Sequence, residues 1–289
     1  KDLAESIGLP LHESSGKGLQ LTDAGEALVS AAQSMSDTWA AFEQQIGRLK
    51  GLTQGRLRVA VVSTAKYFVP GMLGTFCARH PDIDISLQVL NRDGVVARLR
   101  QRRDDLSIMS MPPSDMDLQQ QIFLPNPLVV VASRTHRLAR RRAIALTGLA
   151  DEKFILREPG SGTRMACDKH FAKLGFRPSV RLELGSNEAI KHSVAAGLGI
   201  AVLSQHALGR RPQDDGVTVL DVDGFPLHSN WFILYAAGQQ LSPIAAAFLA
   251  HLRDASGAME QALQASPTGR QTRRRKTSRS GSDAAASSA

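Results

Sequence analysis

The chain has 289 residues, 43% of them hydrophobic, enough for two or three compact units of roughly 100–150 residues each. The opening KDLAESIGLP is charged and has no apolar core, and no apolar run approaches the roughly 18 residues of a membrane helix, so neither a secretory signal nor a membrane span is expected. Of the net charge of +8, the final stretch holds Arg270, Arg273, Arg274, Arg275, Lys276 and Arg279 against Asp283 alone, which leaves the body of the chain near neutral.

Absence of an initiator Met makes the opening read as a fragment that starts inside a domain, or as a processed product. KDLAESIG reads as the last turns of a helix closed by Gly8. LPLHESSGKGLQLT reads as a hairpin around Gly16, Lys17 and Gly18, where glycine supplies unusual φ. A long helix follows, with Thr22 as N-cap and Asp23 and Glu26 complementing its positive end. Its apolar positions are Leu28, Ala32, Met35, Trp39, Phe42, Ile46 and Leu49, spaced alternately by four and three. A single helix buried against its own domain gives a similar stripe, but strict alternation over this length favours pairing with a helix of another chain. GLTQG, residues 51–55, reads as a linker.

From Arg56 onward, apolar runs alternate with helical segments. Strands are predicted at 57–62, 83–90, 105–111, 127–133, 153–156, 180–184, 199–204, 217–222 and 230–237, and helices at 69–79, 93–103, 162–174, 187–197 and 242–253. This alternation predicts an α/β fold with largely parallel sheets, in one large sheet or two lobes. FLPNPL (123–128) marks a crossing between lobes, and GFPLHSN (224–230) a second crossing that returns the chain to the first. Lobe I is expected at 56–126 and 230–253 and lobe II at 127–229. Residues 254–289 are expected to be a disordered basic tail, either a solvated extension or a source of non-specific phosphate attraction. Cys77 and Cys167 are far apart and form no CxxC, which predicts free thiols in a reducing cytosol.

LAESIGLPLHESSGKGLQLTDAGEAL resembles the end of the winged helix-turn-helix of LysR-type transcriptional regulators running into their linker helix. LRVAVVSTAKYFVP and AAGLGIAVLS look like their effector domain, which has two lobes like a periplasmic binding protein. The likeness runs from Leu3 to about Leu252. VSTAKYFVPGMLGTFCARHPDIDISLQVLNRDGVVARLRQ, DDLSIMSMPP, ILREPGSGTR and LELGSNEAIKHSVAAGLGIAVLS look most like the regulators of Calvin-cycle (RuBisCO) operons. The resemblance implies an operator-DNA partner, a phosphorylated or redox metabolite as effector, and a homodimer or tetramer built on paired linker helices. Its mechanism would be a population shift of the two lobes. Two positions depart from the family pattern: His12 stands where the wing usually has an aromatic, and Ser14 where it has an arginine. Residues 1–22 hold only the end of the recognition helix and the wing. The chain as given is therefore expected to lack specific operator binding and to touch phosphates through Lys1 and Lys17 at most.

Three strand-to-helix junctions are candidate effector contacts, because free N–H groups and a positive helix end gather there. The first is Ser63, Thr64, Ala65 and Lys66, whose matching loop contacts the effector in the family; its plainer reading is an ordinary N-cap. The second is REPGSGTR. Gly160 and Gly162 allow close backbone approach, Ser161 and Thr163 offer hydroxyls, and Arg157 or Arg164 offers a fork for phosphate or carboxylate. Its plainer reading is a capped turn with the arginines in solvent or paired with Glu158 or Glu183. The third is Ser186, Asn187 and Glu188, with Ser186 or Asn187 capping a helix and the other facing the cleft; Asn91, Arg92 and Ser110 are further candidates. Together these predict a small anionic effector.

Catalysis finds no support. Ser161 is not in a G-x-S-x-G elbow, there is no Walker loop or G-x-G-x-x-G, and Cys167 and His170, three apart, have no second pair to complete a metal site. No enzyme, cofactor or metal is expected. The competing readings are a stand-alone two-lobe solute-binding protein, opposed by the heptad helix and the missing signal peptide, and an anion-handling enzyme.

Overall fold

The computed structural model describes residues 2–15, 18–49, 55–209 and 211–265. Lys1, Lys17, the 51–54 part of the linker and residues 266–289 of the basic tail lie outside them, as does the side chain of Leu49.

A short helix α1 (Asp2–Ile7) is followed by the antiparallel hairpin β1 (His12–Ser15) and β2 (Gly18–Leu21). The long helix α2 (Asp23–Leu49) starts at Thr22, whose hydroxyl accepts from the Gly25 amide at 3.1 Å and donates to the Pro10 carbonyl at 2.6 Å. A Cβ on Gly25 would lie 2.0 Å from the Leu11 carbonyl oxygen, so only glycine lets the helix start against that loop. On the apolar seam, Met35, Trp39 and Phe42 are 74%, 62% and 50% exposed, so the stripe is not buried against its own chain. Ala32 is also exposed, while Leu28 and Ile46 are half-buried.

Lobe I is a five-stranded sheet of order β4-β3-β5-β12-β6: β3 (Gly55–Val62), β4 (Ile83–Leu90), β5 (Leu106–Met109), β6 (Leu118–Pro125) and β12 (Asn230–Ala236). Helices α3 (Val69–Cys77), α4 (Arg92–Arg100) and α7 (Pro243–Ala265) cover it. Lobe II is a second five-stranded sheet, β11-β7-β10-β8-β9: β7 (Leu128–Ser133), β8 (Lys153–Arg157), β9 (Ser179–Leu184), β10 (Ile200–Ser204) and β11 (Val217–Val219). Its helices α5 (Gly162–Lys173) and α6 (Asn187–Ala195) close separate apolar cores on its two faces. Burial on both faces explains why β7 and β10 read as unbroken apolar runs.

Three expectations need correction. The sheets are mixed: β3 pairs in parallel with β4 and β5, and β8 with β9 and β10, but β12 and β7 each run antiparallel to both neighbours. Those are the two strands that enter a sheet straight from a crossing, so they lack the helical return that makes a strand parallel. Strand β6 was missed because its outer half, LQQQ, lies on a sheet edge and carries no apolar alternation. The final helix continues to Ala265 instead of ending at 253, and Ala255 packs against the lobe I core, so residues 254–265 are helical rather than disordered tail.

Two adjacent segments join the lobes. The Asn126 amide donates to the Ser229 carbonyl at 2.7 Å, and Leu128 and Leu227 exchange backbone hydrogen bonds. Asn126 is buried and its side-chain oxygen accepts from the Ser204 hydroxyl at 2.7 Å. His206 of lobe II packs its ring against both Phe68 and Trp231 of lobe I, which also touch each other, and contacts the Pro125 carbonyl at 3.0 Å. Burial pushes the imidazole down to about 4, partly opposed by that hydrogen bond. Between the ordinary value of 6.5 and about 4 the unfolded chain binds the proton and the folded chain does not. Stability present above pH 6.5 is therefore lost as the pH falls through that window, by about 3 kcal/mol in full. Thermal unfolding followed from pH 7 to 4 should show this loss, and His206→Phe, which keeps the ring contacts, should flatten it.

Candidate functional site between the lobes

The C-terminal ends of β3, β5, β8 and β9 converge on the cleft, as parallel strands in an α/β sheet direct their following loops to one edge. Arg157, at the end of β8, links three of these loops, and its side chain is 2% exposed. It donates from Nε and Nη2 to the two carboxylate oxygens of Glu158 at 2.7 and 2.9 Å. Nη2 also reaches the Ser63 hydroxyl of lobe I at 3.1 Å, and Nη1 reaches the Asn187 side-chain oxygen at 3.0 Å. The bidentate pair with Glu158 neutralises the arginine, which is how a guanidinium can be kept so far from water.

The two glycines of REPGSGTR are explained by contact between lobes. Gly160 has φ +82°, and a Cβ there would lie 2.5 Å from a carboxylate oxygen of Asp93 in lobe I. A Cβ on Gly162 would lie 2.8 Å from the Ser110 hydroxyl oxygen, also in lobe I. The Asp93 amide donates to the Gly160 carbonyl at 3.3 Å. Ser161 sits at the N-cap of α5, yet its hydroxyl caps nothing, which differs from the expected cap. Ser161, Thr163, Ser110 and Thr64 are all buried residues, and their hydroxyls make no hydrogen bond among the described residues. The Asn187 amide nitrogen is buried and likewise unpartnered. Of these five groups the Asn187 nitrogen is a fully buried atom left unpaired, against the rule that buried polar atoms are paired, while the four hydroxyl oxygens are not fully enclosed.

Other candidates have partners. Arg164 is not free to act as an anion fork: it donates to Asp168 at 3.0 Å, to the Arg157 carbonyl at 2.9 Å and to Glu183. Asn91 caps α4 by accepting from the Gly94 amide at 2.9 Å, and Arg92 donates to the Met111 carbonyl and to Asp93. Ser186 caps α6, accepting from the Ala189 amide at 3.3 Å. Lys66 donates to Glu188 at 2.9 Å, and the Tyr67 hydroxyl donates to the other oxygen of the same carboxylate at 2.7 Å. Burial raises the Glu188 carboxyl, but hydrogen bonds from Lys66, Tyr67, its own backbone amide and Ser186 outweigh this and hold it at about 2. Tyr67 is pushed up by burial and by the Glu188 carboxylate.

Tyr67 and Glu158 are residues that sequence reasoning left out of the site, and Glu188, though within the third junction, was given no role. The one available signal for Glu188 is its place in the first turn of a helix at a candidate junction, where an acid also reads as a complement to the helix dipole. Away from the cleft, Cys167 is buried, which pushes its thiol up to about 12, and no cluster able to hold a metal occurs among the described residues.

Residues 50–257 match the family described as the LysR substrate binding domain. This chain belongs to the LysR family of transcriptional regulators. It is 46% identical to a RuBisCO operon transcriptional regulator of Acidithiobacillus ferrooxidans, over 89% of this chain and 83% of that protein. It is 43% identical to the HTH-type transcriptional activator CmpR of Synechocystis sp., over 87% and 83% of the two chains. Among solved structures, the CcmR regulatory domain of Synechocystis PCC6803 in complex with 2-PG superposes with a TM-score of 0.68 at 49% identity, covering 70% of this chain and 98% of that one. Members of the LysR family are regulators and not enzymes, in keeping with the lack of any nucleophile and base pair in the motifs of the sequence. The family's two-lobe effector domain corresponds to the two sheets and the cleft between them.

Arg157→Met removes the partner of Glu158, Ser63 and Asn187 at once. Chemical denaturation should show a loss of about 3 kcal/mol, at the lower end of the cost of breaking a buried pair because Glu158 keeps some water. Gly160→Ala should cost about 1–2 kcal/mol, since it combines a left-handed φ with the approach to Asp93.

Proposed function

We propose that this regulator senses 2-phosphoglycolate, or a closely similar small anion, in the cleft and controls carbon-fixation genes in response. The observation that carries the reading is the convergence of unpaired hydroxyls at Thr64, Ser110, Ser161 and Thr163 beside the start of α5. Hydroxyls and free helix-start N–H groups bind anions without needing a cation of their own. The 49%-identical regulatory domain crystallised with 2-PG supports the choice of ligand, and the relatives named for the RuBisCO operon support the choice of target genes.

In this reading Ser63, Thr64, Lys66, Ser110, Arg157, Ser161, Gly162, Thr163, Ser186 and Asn187 form the effector site. Arg157 and Ser186 hold its shape, and Arg164, expected in the site as well, is engaged by Asp168 and Glu183. The chain works in the cytoplasm; no helix among the described residues is long and apolar enough to cross a membrane. Operator DNA is its macromolecular partner, with Lys1 and Lys17 as phosphate contacts. Two copies pair along the α2 seam of Leu28, Ala32, Met35, Trp39, Phe42, Ile46 and Leu49, as a dimer or the pairing unit of a tetramer. The exposed Met35, Trp39 and Phe42 favour this over a stand-alone solute-binding protein, which has no use for such a seam.

Calorimetric titration with 2-phosphoglycolate should give saturable binding. Ser161→Ala combined with Thr163→Val should weaken it about tenfold or more through two lost hydrogen bonds. Tighter binding of a neutral analogue would overturn the anion assignment. Trp39→Asp should shift the protein towards monomer in sedimentation velocity, and an unchanged assembly would remove α2 as the interface.

A further inference from the structure

Each charged cation around the cleft already has a carboxylate: Arg157 has Glu158, Arg164 has Asp168 and Glu183, and Arg92 has Asp93. Those pairs are formed within one lobe. Lys66 with Glu188 differs, being the one ion pair between described residues that joins lobe I to lobe II. It is also open to water, with side-chain exposures of 34% and 41%. Both oxygens of Glu188 are engaged: one accepts from Tyr67, and the other from Lys66 and from Ser186 at 3.0 Å. An ammonium, a phenol and a hydroxyl, presented from two lobes to one carboxylate, form a donor set suited to a carboxylate or phosphate of a ligand.

We propose that Glu188 is a tethered surrogate for the effector's anionic group, clasping the two lobes in the ligand-free protein and being displaced from Lys66 and Tyr67 when the effector binds. The proposal rests on the anion-sensing reading of the same cleft. An anion entering beside a fixed Glu188 would meet a like charge in a partly desolvated space, which costs affinity. Displacing Glu188 removes that repulsion and frees two donors, while the solvent-open side chain has water to turn into. The affinity of the site is then the difference between two anions competing for one donor set. Glu158 cannot take this role, because it is the neighbour of Arg157 in the chain and stays in the same lobe whatever the lobes do.

The test uses Glu188→Gln, nearly identical in shape and able to accept from Tyr67 but without the charge, in the full chain. Calorimetry with 2-phosphoglycolate should give about two- to fivefold tighter binding than the parent, the range expected for removing a partly exposed competing ion pair. Adding Lys66→Met should abolish the gain. Hydrogen exchange without ligand should be faster in Glu188→Gln over residues 64–68 and 186–190, where the clasp holds the lobes. Unchanged or weaker binding by a folded Glu188→Gln protein would overturn the proposal, as would unchanged exchange. If neither protein binds 2-phosphoglycolate, the choice of effector fails. The exchange rates still decide whether Glu188 clasps the lobes, and inorganic phosphate, titrated in the same way, decides whether an anion displaces it.

Discussion

The guanidinium of Arg157 is the interaction on which the cleft depends. A cation with a 2%-exposed side chain is tolerated because Glu158 takes two of its donors and Ser63 and Asn187 take one each. Those acceptors lie on three different strand-to-helix junctions, so the same hydrogen bonds that stabilise the charge also fix the loops relative to one another. The hydroxyls of Thr64, Ser161 and Thr163 are held in place by this frame and lack partners of their own. The residue that looks most like an anion ligand in the sequence thus also fixes the three junctions to one another through its own hydrogen bonds.

What could be read from the sequence follows from how far each signal extends. Helix α2 announced itself because seven apolar positions alternate by four and three over its length, a periodicity no strand or loop produces. The central strands of lobe II were legible as short apolar runs because both of their faces are covered. Strand β6 was not legible, since an edge strand with three glutamines is defined by pairing with β12, a partner about a hundred residues away. The mixed pairing of both sheets was hidden for the same reason.

At the site, the glycine-rich junction was visible, but its cause was not. In sequence Gly160 and Gly162 read as giving access to a ligand, and the structure adds that their lack of a Cβ also admits Asp93 and Ser110 of the opposite lobe. Arg164 looked equivalent to Arg157 in sequence and proved to face Asp168, one helical turn along α5, and Glu183 on the neighbouring strand. Glu188 lies within a candidate junction but carries no role in the sequence, because a search for an anion site looks for positive charge. A carboxylate held at about 2 by a lysine and a tyrosine from the other lobe is a tertiary fact with no local signature.

The paired crossings carry a consequence for how this chain can be divided. Lobe I is made from residues on both sides of lobe II, so lobe II is an insertion whose two ends, at Asn126 and Ser229, sit a single 2.7 Å hydrogen bond apart. Ends that meet in this way can be joined by a short bridge without disturbing either sheet. The geometry therefore allows lobe II to be lifted out as a self-contained graft, and lobe I to be closed over the gap with β6 and β12 still antiparallel neighbours.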